Sequence, residues 1–371
     1  LWEKSKKLIP GGNMLISKRP NLFAPKYWPT YYQKAKGCYV WDLENKKYTD
    51  MSIMGIGTNI LGYGNDYVDE AVIKAIKFGN MSSLNCSEEV ELAEELIRIH
   101  PWADMVKFAR SGGEANSIAV RIARAYSGKD KVIFCGYHGW HDWYISAGNE
   151  KGALTGHLFE DLSSKGVPAA LNGTSIPFEW NNLSNLKRII EKNRDEIGAI
   201  KMEVTRNIKP SKDFLKRVRE LCDYYKILLI FDECTSGFRE TYGGLHKKYN
   251  VTPDMAIYGK ALGNGYAITS VVGKKEIMDS VQNTFISSTF WTERAGPSAA
   301  LKTLEIMKRE RSWEYICELG KYISGKWLEI AESNNLDIKI FGLSSITKYL
   351  INTENDFIKY KTLITQEMLK K

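Results

Sequence analysis

Residues 227–260 read ILLIFDECTSGFRETYGGLHKKYNVTPDMAIYGK. Two apolar runs in this stretch each stop at a charge. Ile227–Phe231 ends at Asp232-Glu233, and Met255–Tyr258 ends at Gly259-Lys260. Short apolar runs bounded by turn residues read as strands buried on both faces, as in a parallel sheet. In open α/β sheets ligands bind beyond the carboxyl ends of the strands. The reading therefore puts a carboxylate and an amine together at a binding edge.

Outward from this stretch, strands alternate with helices. Met105–Ala109 reads as a strand, Ser111-Gly112-Gly113 as a turn, and Glu114 onward as a helix with Ala115, Ile118, Ala119, Ile122, Ala123 and Tyr126 on one face. A glycine-bearing turn at a helix start exposes backbone N–H groups and the positive end of the dipole, a ready seat for phosphate. Lys131–Cys135 is a strand that runs into Gly136-Tyr137-His138-Gly139-Trp140-His141. Further strands are expected at Ala199–Val204, Ile268–Val272, Asp337–Phe341 and Ile346–Ile351. Helices are expected at Asp69–Phe78, Glu88–Ile99, Phe214–Tyr225, Gly296–Lys308, Trp313–Ala331 and Asn355–Lys371. Residues 1 to about 50 read as irregular apart from a hairpin at Cys38–Asp42 and Lys47–Asp50, and 145–178 as a long excursion without periodicity. The pattern is α/β, a largely parallel sheet covered on both faces.

The 371 residues carry a formal charge of +8, but lysines and arginines alternate with acids and form no basic-aromatic block. The chain reads as a protein with a lysine-rich solvated surface, without a nucleic-acid or membrane partner. Six scattered cysteines without a C-x-x-C pair, and an N-terminus without an apolar leader, point to a reduced, cytoplasmic setting. Cys135, His138 and His141 have a spacing that invites zinc, but no fourth ligand follows, so no metal is expected. Gly259-Lys260 lacks the flanking residues of a P-loop, and Gly55-Ile56-Gly57 the third glycine of a dinucleotide fingerprint.

Asp232 and Lys260 suit one chemistry. Burial lowers a lysine's pKa, which leaves part of it neutral and able to form a Schiff base with an aldehyde. An aspartate beside a pyridine nitrogen keeps that nitrogen protonated, and the ring then accepts electrons from a substrate carbon. Alone, each residue is more often a turn cap or a surface lysine. With a phosphate seat at Ser111–Gly113 and an aromatic ring cover at Tyr137, they point to pyridoxal 5'-phosphate.

Six stretches stand in one order: AKGCYVWDLENKKYTD (35–50), ILGYG (60–64), FARSGGEANSIAVRIARAYSGKDKV (108–132), GYHGWHD (136–142), LIFDECTSGFR (229–239) and GKALGNGY (259–266). With these the sequence resembles the class III aminotransferases of the type I pyridoxal phosphate fold, and most nearly the glutamate-1-semialdehyde aminomutase branch. The resemblance runs from Ser5 to about Leu304. It implies a large cofactor domain over 76–310 and a smaller α+β domain from 1–75 and 311–371. It implies Lys260 as the Schiff-base lysine and proton shuttle, and Asp232 as the partner of the ring nitrogen. Ser111, Gly112 and Gly113 match the phosphate cradle, where threonine is usual at the third place. Tyr137 matches the ring-stacking residue, with His138 beside it. Glu203 and Asn207 match the stretch that reaches the ring hydroxyl, although Val204 stands where proline is usual. Thr289 matches a threonine given to the phosphate by a second subunit, which implies a homodimer with a shared site.

Two departures stand out. The 287–297 segment differs from the usual pattern, and its Trp291 and Glu293 are expected to reshape the substrate pocket. The chain also ends at Lys371, earlier than is usual in the family, so a C-terminal piece with substrate contacts is expected to be missing or unseen. Arg19 and Arg239 are the candidates for a substrate carboxylate. The implied activity is an aminotransferase acting on a small-molecule amino donor and a carbonyl acceptor. An aminomutase, a decarboxylase and a silent cofactor-binding regulatory protein are the alternatives, and 145–178 is the candidate lid.

Overall fold

The computed structural model describes residues 1–149, 164–205, 207–353 and 357–371. Its centre is a seven-stranded sheet. In chain order its strands follow an N-terminal antiparallel set: β1 Tyr32–Lys36, β2 Tyr39–Asp42 and β3 Lys47–Thr49. The central strands are β4 Met105–Ala109, β5 Lys131–Cys135, β6 Ser175–Pro177, β7 Ile197–Glu203, β8 Leu228–Asp232, β9 Met255–Tyr258 and β10 Thr269–Gly273. A last antiparallel pair is β11 Ile338–Phe341 and β12 Lys348–Ile351. The sheet order is β4-β10-β9-β8-β7-β5-β6. All neighbours are parallel except β10, which runs antiparallel to both β4 and β9.

Side chains alternate across the sheet and fill a core on each face. Val132, Phe134, Ala199, Ile230, Ile257 and Val271 meet the Gly112–Ser127 helix on one face. Ile133, Ile200, Met202, Leu229 and Phe231 meet the Ser87–Ile99 and Phe214–Tyr225 helices on the other. Each of these side chains larger than alanine contributes about 1.5–3 kcal/mol on burial, so the strand ends that carry the polar residues are held rigidly. The Gly112–Ser127 helix starts at a capping box. Ser111 Oγ accepts from Glu114 N, and the Glu114 carboxylate accepts from Ser111 N. It stops at Gly128, at φ 66°.

Three expectations need correction. The first fifty residues are not irregular: Trp2–Leu8 is a helix, and β1 joins the expected hairpin as a third strand. Tyr32–Lys36 reads YQKAK, a strand with little to bury, so no apolar alternation marks it. Leu183–Lys192 is a helix that buries Leu186 and Ile190, although its charges read as plain surface. The 145–178 excursion supplies β6 as an edge strand; the rest of the candidate lid, 150–163, lies outside the described residues.

Candidate active site

Strand register brings the charges together. Glu203 at the end of β7 is level with Asp232 at the end of β8, and Asp232 with Ile257 on β9, three residues before Lys260. Asp232 is buried. Its Oδ2 accepts from His138 Nδ1 at 2.8 Å and its Oδ1 from Cys234 N at 3.1 Å. The Lys201 ammonium, wholly buried on β7, stands 3.6 Å from Oδ2. Burial alone would raise the Asp232 pKa. The Lys201 charge, the His138 hydrogen bond and the Cys234 N–H outweigh it and hold the carboxyl well below the usual range. Burial, followed by the Lys201 charge, pushes His138 down to about 4, so it stands neutral at pH 7.

Lys260 follows β9 in the left-handed region, at φ 44°. A non-glycine residue there is uncommon and marks a position held by its surroundings. Its Nζ donates to Thr235 Oγ1 at 2.6 Å, in the turn three residues past Asp232. Burial lowers its pKa, and the Arg239 guanidinium lowers it further against the pull of Cys234 and Asp232. The structure therefore sets an amine of lowered pKa just past the strand next to that of an ionised carboxylate. Arg239 belongs to the same neighbourhood. It is buried, and it donates from Nε to Thr235 O at 2.5 Å and from Nη2 to Gly57 O. Burial pushes its own pKa down to about 10.

On the other flank, Thr269 Oγ1 on β10 donates to Ser111 O at 3.2 Å, which ties the start of the Gly112–Ser127 helix to the sheet. Tyr137 N donates to Glu203 Oε2 at 3.1 Å. Only glycine fits at 136, since a Cβ there would lie 2.5 Å from that same oxygen. Trp291 Nε1 donates to Glu114 Oε1 at 3.0 Å. Glu293 pairs with Arg110 at 2.8 Å and accepts from Ala295 N and Gly296 N at the start of the Ala295–Glu310 helix. The altered 287–297 segment is thus tied to the capping box of the Gly112–Ser127 helix.

Other candidates lie apart in their contacts. Asn207 is exposed, with its carbonyl accepting from Gly342 N and its Oδ1 from Lys348 Nζ. Thr289 is exposed in a short helical turn. Arg19 packs against the Pro10–Gly12 turn, where its Nη2 would lie 2.2 Å from a Cβ at Gly11. The two histidines of the zinc-like spacing diverge, His138 to Asp232 and His141 to Ser117. Lys201, Thr235 and Cys234 were not singled out from the sequence. A charge inside a strand apolar on both faces was the available signal for Lys201.

The donor set fits pyridoxal phosphate: an ionised carboxylate for a ring nitrogen, an amine of depressed pKa for an aldehyde, and a glycine-opened helix start for a phosphate. The sequence profile of the family "Aminotransferase class-III" matches residues 23–346. The chain belongs to the class-III aminotransferases. A 3-aminobutyryl-CoA aminotransferase of Cloacimonas acidaminovorans is 35% identical to it over 374 residues, 99% of this chain and 86% of that protein. A glutamate-1-semialdehyde 2,1-aminomutase of Methanocaldococcus jannaschii is 32% identical, covering 97% of this chain and 84% of that one. An omega-transaminase structure from Sphaerobacter thermophilus superposes with a TM-score of 0.82 at 26% identity, covering 97% and 83% of the two chains. The type I fold and the aminotransferase reading of the sequence both stand. Among the described residues no helix of this class-III aminotransferase is long and apolar enough to cross a membrane.

Proposed function

We propose that this aminotransferase holds pyridoxal 5'-phosphate between Asp232, Lys260 and the Ser111–Gly113 turn, and passes an amino group from a small-molecule donor to a carbonyl acceptor. The observation that carries the proposal is the Lys260 amine, lowered in pKa and docked on the turn that follows Asp232. When bound, the cofactor supplies an aldehyde carbon and a ring that withdraws electrons from the substrate's amino-bearing carbon. Asp232, kept ionised, would hold a proton on the ring nitrogen, and the His138 hydrogen bond orients the carboxylate. Lys260 Nζ takes a proton from the substrate carbon and returns it. Tyr137 would cover the ring face, and Glu203, which accepts from Tyr137 N, would serve the ring's hydroxyl side. Arg239 is the candidate to hold a substrate carboxylate near Lys260. Thr289 is exposed, as a residue given to a second copy's phosphate would be, and a homodimer in the cytoplasm is the proposed working form. Asn207 stays outside this set because its contacts run to Gly342 and Lys348.

The test is a half-reaction screen. The purified protein with pyridoxal phosphate should show the visible absorbance band of a lysine-bound cofactor. Amino donors are then added singly, including α-amino acids, ω-amines and, because of the 35% identical relative, β-amino acyl thioesters. Loss of the band with release of a carbonyl product supports the proposal. Conversion of an amino aldehyde without a second substrate would instead support an aminomutase, the activity named for several relatives. A wild-type protein without the band refutes both.

A further inference from the structure

Glycine stands at 113, at the phosphate end of the Gly112–Ser127 helix, where threonine is usual in the resemblance noted above. The structure shows what fills the space. A Cβ at Gly113 would lie 3.1 Å from His141 Nε2 and 3.2 Å from His141 Cδ2. The imidazole therefore sits where the side chain of a residue 113 would project. The GYHGWH turn lies close against the helix, since a Cβ at Gly139 would come within 3.0 Å of Gly113 Cα.

The ring is anchored from its far side. His141 Nδ1 is 2.5 Å from Ser117 Oγ, four residues along the same helix, and Trp140 meets the ring edge-on at 4.7 Å. When the serine hydroxyl donates to Nδ1, the ring proton resides on Nε2. Nε2 then is a donor at the first turn of the helix, and it has no hydrogen-bond partner among the described residues. The backbone N–H groups and dipole of that turn already favour an anion. A neutral scaffold role would not require the free nitrogen of the ring to face this end of the helix.

We propose that His141 is a phosphate ligand of the cofactor, its Nε2–H replacing the hydroxyl that glycine at 113 removes, with Ser117 as the residue that orients it. The inference rests on the cofactor reading above and adds a residue to it. Glycine at 113 and histidine at 141 form one exchange: the smaller residue makes room for the larger one, and the donor moves from the helix to the neighbouring turn.

Pyridoxal, which lacks the phosphate, separates this role from packing. Apoprotein is titrated with pyridoxal phosphate and with pyridoxal, and binding is followed by the visible band and by the ³¹P signal of the bound phosphate. His141→Ala should weaken pyridoxal phosphate binding about tenfold, the usual loss for one hydrogen bond to a charged group, leave pyridoxal binding unchanged and shift the ³¹P resonance. His141→Gln, which keeps an N–H donor, should lose less. Gly113→Thr alone should weaken binding because the new side chain meets the ring, whereas Gly113→Thr with His141→Ala should recover most of the affinity. Equal losses for both ligands, or wild-type affinity in His141→Ala, would overturn the proposal while leaving the cofactor reading intact. A wild type that captures neither ligand would overturn both.

Discussion

Asp232 and Glu233 are neighbours in sequence, both buried, and each accepts from a histidine Nδ1, at 2.8 and 2.7 Å. Their surroundings differ. Glu233 takes Ser236 Oγ and Leu245 N on one oxygen, and His246 N and Nδ1 on the other. Trp102 Nε1 donates to His246 Nε2, and the adjacent His100 accepts from Gly244 N. Every acceptor there is used, as expected for a polar group that supports a fold. Asp232 has one N–H on Oδ1, a histidine on Oδ2, and beside it a buried Lys201 ammonium with no hydrogen-bond partner among the described residues. One turn away Lys260 sits in left-handed backbone. The saturated Glu233 network is built to brace the molecule, and the proposal puts the chemistry on the under-used Asp232 network next to left-handed backbone.

That contrast can be attacked from either side. Lys260→Ala should have the largest effect, complete loss of the visible lysine-bound band with an unchanged far-UV circular dichroism spectrum. Asp232→Asn comes next. It should retain the fold but slow the donor half-reaction about 100-fold or more, the scale seen when one preorganised charged partner is removed; stopped-flow absorbance measures it. Glu233→Gln should invert the pattern. It replaces one acceptor oxygen with a donor that faces a backbone N–H and should cost about 2–3 kcal/mol in urea unfolding, while the surviving folded protein keeps a near-normal half-reaction rate. A Glu233→Gln protein of wild-type stability would break the comparison.

Lys201→Met should give the smallest effect, one that depends on pH. Asp232 ionises more readily folded than unfolded, so its contribution is complete above about pH 4, near the unfolded value, and is lost as pH falls toward the folded one. Without the Lys201 charge the folded pKa rises toward the ordinary range. The stability lost below about pH 4 should then be smaller than in the wild type, as urea titrations at stepped pH would show. An unchanged acid limb would mean that His138 and Cys234 alone keep Asp232 ionised.

The sequence announced the binding edge because its signals are local. An apolar run that stops at Asp232 or Lys260, and a Ser-Gly-Gly turn before an amphipathic helix, need no knowledge of distant contacts. It was silent where long-range packing decides. Tyr32–Lys36 is a strand because β2 lies beside it, and Lys201 is buried because β5 and β8 flank it. The link between His141 and Gly113 spans 28 residues and is visible only once β5 returns its turn to the helix start. The contacts of Asn207 with Gly342 and Lys348 likewise follow from segments that sequence order alone does not bring near.

The reversed strand β10 has a last consequence. It pairs Thr269 with Ala109 of β4 and Ser270 with Tyr258 of β9, so the approaches to Ser111 and Lys260 leave the sheet at one level, separated by two interstrand steps of about 4.8 Å each. The sheet works as a caliper. Its jaws are set by backbone hydrogen bonds and are indifferent to side-chain identity. Substitutions across 287–297 or beyond Glu203 can therefore change what is gripped while the span between the Ser111–Gly113 turn and the Lys260 amine stays constant.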